Sequence, residues 1–322
     1  MAIATNTSLT FSSVAIREDL SDVIYNIAPM DTPFMSGLSK QSVDNTFYEW
    51  QTDTITAGAA NRKIEGDDSI AATARVLPTR LGNYTQISQY VNQTSGTDDA
   101  VNYAGHGKHQ AYQLAKNGKR MKRDMEGMLL QNIVRSAGSS TAARATAGVP
   151  AWLATNYVSM NPTSGSPTAG ASGTTAMVES TATASITEAG IKNVIKDAYD
   201  AGGNPDLILA PSAIKQAISD LAQSVSSLRT DTKGDAPAHV IAAVDVYVSD
   251  FGTFKIVSDR NVNSTEHVFF LDMDFWAIAW LRPFQTVELA KTGDATKQML
   301  LAEYGLVSKN EKASGILADC AA

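Results

Sequence analysis

Few groups of residues in this chain have the types and spacing to do chemistry. His106 and His109 stand three apart, which puts two imidazoles on adjacent turns of a helix. No cysteine and no third ligand accompany them, so a solvated structural pair is expected rather than a metal site. Asp272 and Asp274, in the run DMD, could hold a hard cation through their oxygens. Paired carboxylates at the end of a strand are also ordinary surface chemistry, and that is the expectation here. The lone cysteine, Cys320, cannot make an internal disulfide. Its place near the C-terminus, where chains are usually mobile, argues against a catalytic thiol. There is no phosphate-binding glycine loop, GxSxG elbow, HExxH helix or CxxC pair. No catalytic residue, cofactor or metal ligand is therefore assigned.

The strongest local charge feature is basic. Lys116, Lys119, Arg120, Lys122 and Arg123 crowd a single segment, followed by Asp124 and Glu126. Such a cluster could contact DNA, but on a helix with acidic residues nearby a solvated face or ion pairs between subunits is expected. In the same segment Leu114, Gly118, Met121, Met125, Met128 and Asn132 form a near-heptad stripe, widened by Leu129 and Ile133. That spacing is the signature of a packed helix face, and methionine fills irregular cores well. Trp50, Trp152, Trp276 and Trp280 are expected as packing anchors.

The elements that must position these residues follow from periodicity. Residues 1–45 read as an arm, with Ile16, Leu20, Val23, Ile24 and Ile27 at helical spacing before Pro29 and Pro33. Phe47 to Ile55 alternates like a strand, and Arg80 to Thr94 is a second extended stretch. Joined through the turn-rich residues between, they predict one long hairpin over 46–95, with arms of about 15 residues and about 50 Å. It has few bulky apolar residues, so it must lie on something else. A helix is predicted from Asp98 toward Gly138, about 50–60 Å if continuous, although Gly105 and Gly107 favour an ordered start near Lys108. Residues 139–282 alternate short strands and helices around a Gly/Ser/Thr-rich loop at 159–185. One helix there has Ser185 as its expected N-cap, with Glu188 three residues on. The tail returns to two strands around KTGDATK.

Composition bounds the function. Hydrophobic residues make up 43% of the 322 and charged residues 18%, which is globular rather than disordered. Apolar runs are too short to span a bilayer as helices. The N-terminus lacks a basic region followed by an apolar core. A net charge of −7 does not attract nucleic acid over the whole surface.

Several motifs then coincide in order: DTPFMSGL at 31–38, the EWQTD strand, AKNGKRMKRDMEGMLL, TAGVPAWLATN at 146–156, and KTGDATK followed by NEKASG. Nearly the whole chain resembles the major capsid proteins of tailed double-stranded DNA bacteriophages, with a Hong Kong 97-like α+β fold. The resemblance implies an N-terminal arm at 1–45 and an extended β-hairpin loop at 46–95. It implies a peripheral domain with a spine helix at 96–138 plus 283–322, and a mixed α/β axial domain at 139–282. It implies self-assembly into hexamers and pentamers of an icosahedral head enclosing DNA, built in the host cytoplasm. The partners implied are other copies of the chain, a separate scaffolding protein, a portal, a decoration protein, and packaged DNA through weak nonspecific contact. No membrane is involved. Candidate contacts between subunits are Tyr48 and Trp50 on the strand, Arg62, Lys63 and Ile64 near the hairpin tip, and Lys119, Arg120 and Arg123 on the helix. The competing reading is a soluble α/β module that binds a small ligand.

Overall fold

The computed structural model describes residues 31–55, 58, 62, 64–66, 75–101, 103, 107–225, 245–262, 266–291 and 293–321. The amphipathic stretch at 16–27, Lys63 and His106 lie outside the described residues. The chain opens with α1 (Pro33–Gly37), β1 (Ser39–Ser42), β2 (Phe47–Thr52), β3 (Thr79–Tyr84) and β4 (Gln86–Ser95). There follow α2 (Gly96–Ala100), α3 (His109–Leu129), β5 (Tyr157–Ser159), β6 (Ala184–Ser185) and α4 (Glu188–Asp200). Next come β7 (Leu207–Ala210), α5 (Ser212–Val225), β8 (Val246–Ser249), β9 (Gly252–Ser258) and β10 (Val268–Leu271). The chain closes with β11 (Trp276–Leu289), β12 (Ala295–Ser308), β13 (Gly315–Ala318) and β14 (Cys320–Ala321).

Two larger sheets organise these elements. The first has the order β1-β11-β12-β4. Its centre is the antiparallel pair β11–β12, in register from Trp276–Ser308 to Leu289–Lys297, with irregularities between Trp280 and Gln285. Fourteen residues a strand make this ladder about 45 Å long. The helix α3 lies on one face of the sheet. Gln110, Asn117 and Asp124, seven apart and so on one line of the helix, hydrogen-bond Thr94, Asn92 and Tyr90, every second residue of β4. Met121, Met125 and Leu129 are buried, in one core cluster with Phe34, Leu38, Trp276 and Tyr304.

The second sheet, β5-β13-β10-β7-β9-β8, mixes parallel and antiparallel pairs. One of its faces is covered by α4 and α5. Ile191, Val194 and Ile195 of α4, with Ile214 and Ile218 of α5, cluster with Phe254, Ile256, Val268 and Phe270. The opposite face joins the first core. Along β10, Val268 and Phe270 enter one cluster while Phe269 and Leu271 enter the other. This strand is apolar at every position because both of its faces are covered.

The segment Arg80 to Thr94 is two strands, not one hairpin arm. β3 pairs with β2 over six residues, from Phe47–Tyr84 to Thr52–Thr79, and β4 pairs instead with β12. The break falls at Thr85, whose N–H bonds Thr46 and whose hydroxyl donates to Glu303. The described ladder is therefore about 20 Å long rather than 50 Å. The predicted long helix is likewise divided. Its main part begins at the Lys108 cap, as the glycines favoured, and stops at Leu129 after 21 residues, about 31 Å. Beyond it, Asn132 clamps the backbone of Met177 through both ends of its amide, at 2.7 and 3.0 Å. Gly138, expected as the helix stop, sits in a turn at φ +70°, spanned by the Ser136–Ala145 bridge.

The 159–185 loop folds back on its own chain. Met177 is buried, and Gly173 lies against the Trp152 indole where a side chain would clash. The cap of α4 is Thr187, which accepts from the Gly190 N–H at 3.2 Å. Ser185 is in β6, paired with Ala321. The C-terminus is accordingly tied down. Cys320 is buried, and burial, with Asp319 and Glu266 nearby, pushes its thiol up to about 12. Sheet membership crosses the expected segment limits. Residues 276–282 belong to the first sheet and 315–318 to the second, while Phe34 and Leu38 of the expected arm enter the subunit's own core and β1 pairs with β11.

That last attachment rests on a buried acid. Glu126 of α3 accepts the N–H groups of Phe34 and Met35, both at 2.7 Å, and has no exposed surface. Burial and the neighbouring Asp259 raise its pKa, and burial also raises that of Asp259. A carboxyl with a raised folded pKa keeps its proton longer in the native state than in the unfolded chain. The native state then binds more protons above the ordinary carboxylate range, so stability falls as pH rises through and beyond that range. Denaturant unfolding across pH 4 to 8 should show this fall in the parent chain and a flatter profile in Glu126→Gln. Parallel profiles would assign the pH dependence to other groups.

Candidate inter-subunit surface

The β2–β3 hairpin is held to its own subunit by a buried polar base. The Tyr48 hydroxyl donates to the Leu306 carbonyl at 2.8 Å, and burial raises the pKa of the phenol far above its usual value. The ring lies against Gly305, where a side chain would collide with the hydroxyl. Asn83, fully buried on β3, donates to the same Leu306 carbonyl at 2.8 Å and to Thr146 Oγ1 at 3.0 Å. Its amide oxygen accepts from Ala147 N–H at 3.0 Å and from Tyr84 N–H at 2.9 Å. Below them Glu303 of β12 is gripped by Arg144 at 2.6 Å and Arg282 at 2.8 Å, with the Thr85 hydroxyl at 2.8 Å. Arg135 adds a hydrogen bond to the Gly82 carbonyl, with its guanidinium over the Phe47 ring. Charged partners that satisfy one another this fully make a rigid joint.

Two sequence-predicted contacts are thus internal. Tyr48 is buried in its own subunit. Trp50 stacks on Tyr48 at 5.9 Å and meets Trp152 at 5.3 Å. Much of the surface that the strand lacks in sequence is supplied by β12 and the 146–152 segment of the same chain. Toward the tip the situation reverses. Arg62 is exposed, and so are Ile55 (100%), Ile64 (84%), Val76 and Leu77 (70%). Solvent exposure of several large apolar side chains along one segment is uncommon on a folded surface.

The outer side of α3 carries the basic cluster. Arg120 and Arg123 lie within 3.9 and 3.7 Å of Asp124, and Arg120 also covers the Tyr90 ring. Lys116, Lys119 and Lys122 are exposed. His109 bonds Gln113 at 3.2 Å and stacks on Tyr103. Asp272 caps the short turn at 273–275 by accepting from Asp274 N–H. Sequence reading missed Asn83, Thr146, Glu303 and Gly305. Glu303 had one visible signal, a lone charge inside the apolar run MLLAEYGLV.

Comparison with known proteins bears on the whole chain. The model of the SU10 major capsid protein family matches residues 3–321. The major capsid protein of Escherichia phage Phieco32 is 28% identical, the match covering 90% of each chain. In fold the chain is similar to the capsid asymmetric unit of cyanophage A-1(L), with TM-score 0.68 at 12% identity over 95% of this chain and 97% of that one. It is also similar to a structure from Mycobacterium phage Adephagia, with TM-score 0.62 at 12% identity over 98% and 99%. A third likeness is to a structure of phage G gp27 major capsid proteins and gp26 decoration proteins, with TM-score 0.55 at 11% identity over the full length of both.

Replacing Gly305 by Ala should force Tyr48 off its seat and cost about 1–3 kcal/mol in denaturant unfolding. In a Tyr48→Ala background the same change should cost much less, since the partner is already gone. Equal costs in the two backgrounds would show that the two residues are not coupled.

Proposed function

The chain belongs to the SU10 major capsid protein family, and from that premise we propose that the hairpin tip is the part of each subunit that grips a neighbouring copy. The chain is a structural protein of a phage capsid shell, and its fold is Hong Kong 97-like. The small-ligand reading is not favoured. One observation carries the proposal: a hairpin locked at its base by buried hydrogen bonds presents Ile55, Ile64, Val76 and Leu77 with no apolar cover among the described residues of its own subunit. A rigid base fixes where the tip is carried, and an uncovered apolar tip gains free energy only where another surface receives it.

On this reading the first sheet with α3 is the peripheral layer, and the second sheet with α4 and α5 is the axial layer. Copies meet around fivefold and sixfold axes to form hexamers and pentamers of an icosahedral head. Scaffolding protein and portal act during assembly in the host cytoplasm, and a decoration protein binds the outer surface. Packaged double-stranded DNA is the content.

Deleting residues 56–74 should leave thermal unfolding close to that of the parent and abolish closed shells in electron micrographs. Ile64→Asp should weaken assembly in the same direction with the loop intact. Normal shells from both variants would remove the tip from the assembly contact.

A further inference from the structure

We propose that Lys116, Lys119 and Lys122, on the outward side of α3, form a contact for the phosphate backbone of double-stranded DNA. The inference rests on the capsid reading and assigns residues to its contents.

Charge is segregated sharply along the chain. Between Asp99 and Asp124 there is no acidic residue, yet this stretch holds Lys108, Lys116, Lys119, Arg120, Lys122 and Arg123 in a protein of net charge −7. The structure then divides these cations. Lys108 reaches Asp99 at 3.4 Å, and Arg120 and Arg123 turn to Asp124. The three lysines have no carboxylate partner among the described residues, and α3 exposes Ala111 and Ala115 beside them. Their Cα atoms span six residues, about 9 Å along the helix axis. Double-stranded DNA carries one charge per ~1.7 Å of its axis, so one short helix face can meet several phosphates.

The chemistry of the face favours phosphate over protein. Cores of protein–protein contacts are depleted in lysine and enriched in aromatic residues, methionine and arginine. Here Met121 and Met125 of α3 are buried, and the arginines pair with Asp124 within the subunit. What remains is a row of flexible, strongly hydrated point charges. Such charges suit a sequence-independent contact made through counterion release. The contact is local, which accommodates an acidic protein around an acidic polymer.

The test uses unassembled full-length chain and a labelled 30-base-pair duplex, with anisotropy read from 50 to 200 mM salt. The parent should bind, with affinity falling steeply as salt rises. The triple variant Lys116→Gln/Lys119→Gln/Lys122→Gln should lower the slope of log affinity against log salt by about 2–3, so that its affinity falls about 40-fold less over this range. Lys192→Gln/Lys196→Gln, which alters cations paired with carboxylates on α4, should keep the parent slope. An unchanged slope in the triple variant, or no duplex binding by the parent at 50 mM salt, overturns the proposal. So does stronger competition by poly-glutamate than by unlabelled duplex, which would hand the face to an acidic protein. A triple variant that no longer forms shells while keeping the parent slope would make the lysines an inter-subunit contact. Shells formed normally by the parent leave the capsid reading standing in each of these cases.

Discussion

The structure depends on the C-terminal part of β12, Leu300 to Ser308, having no free side. One edge receives β11 and the other receives β4. One face receives α3, and the stretch near Gly305 receives the hairpin base. From Leu300 to Ser308 every residue is buried. A strand used on every side has little freedom in composition. It must be apolar where it meets cores, must be glycine where Tyr48 seats, and can hold a charge only where that charge is fully paired. Glu303 meets the last condition, with two guanidiniums and a hydroxyl around it. Removing one partner from such a group would leave a buried charge uncompensated, a cost of about 3–5 kcal/mol.

From this strand the rest of the subunit is positioned. The chain leaves β12 through the turn at 311–313 and enters the second sheet as β13, so the two layers are joined by a few residues of backbone. There Glu311 accepts from the N–H groups of Ala154 and Thr155, and Asn156 bonds the carbonyls of Lys312 and Ser314. The large core cluster that includes Trp152, Trp276, Tyr304 and Phe269 then unites the layers in one apolar interior. Rigidity is thus concentrated at the junction, while the hairpin tip and the outer side of α3 remain uncommitted.

Much of this was legible beforehand because it follows from local rules. The methionine stripe on α3, the strand alternation of Phe47 to Thr52, the glycine end of α4 and the two tail strands follow from periodicity and turn chemistry. The family was legible from the order of short motifs. The misreadings came where a nonlocal partner overrode a local pattern. Arg80 to Thr94 is extended throughout, but β12 offers a better edge than β2 after Thr85. The helical pattern continues past Leu129, but Asn132 gains two hydrogen bonds by holding Met177 instead. The C-terminus looks free in sequence, yet β14 pairs with β6.

What the sequence by itself determined is which segments are helical or extended, which faces are apolar, and that cations crowd a short stretch of one helix. These depend on spacing along the chain, which is written in the chain. What only the tertiary structure decided is which of those surfaces are already used. Tyr48 proved to be buried inside the subunit with Trp50 half-buried against it, while Ile55, Ile64 and Leu77 are exposed. Arg120 and Arg123 proved to share Asp124 as a partner, while three lysines beside them have no carboxylate partner among the described residues. The reason is that solvent exposure and charge pairing are set by contacts between residues far apart in sequence, and no local pattern carries that information.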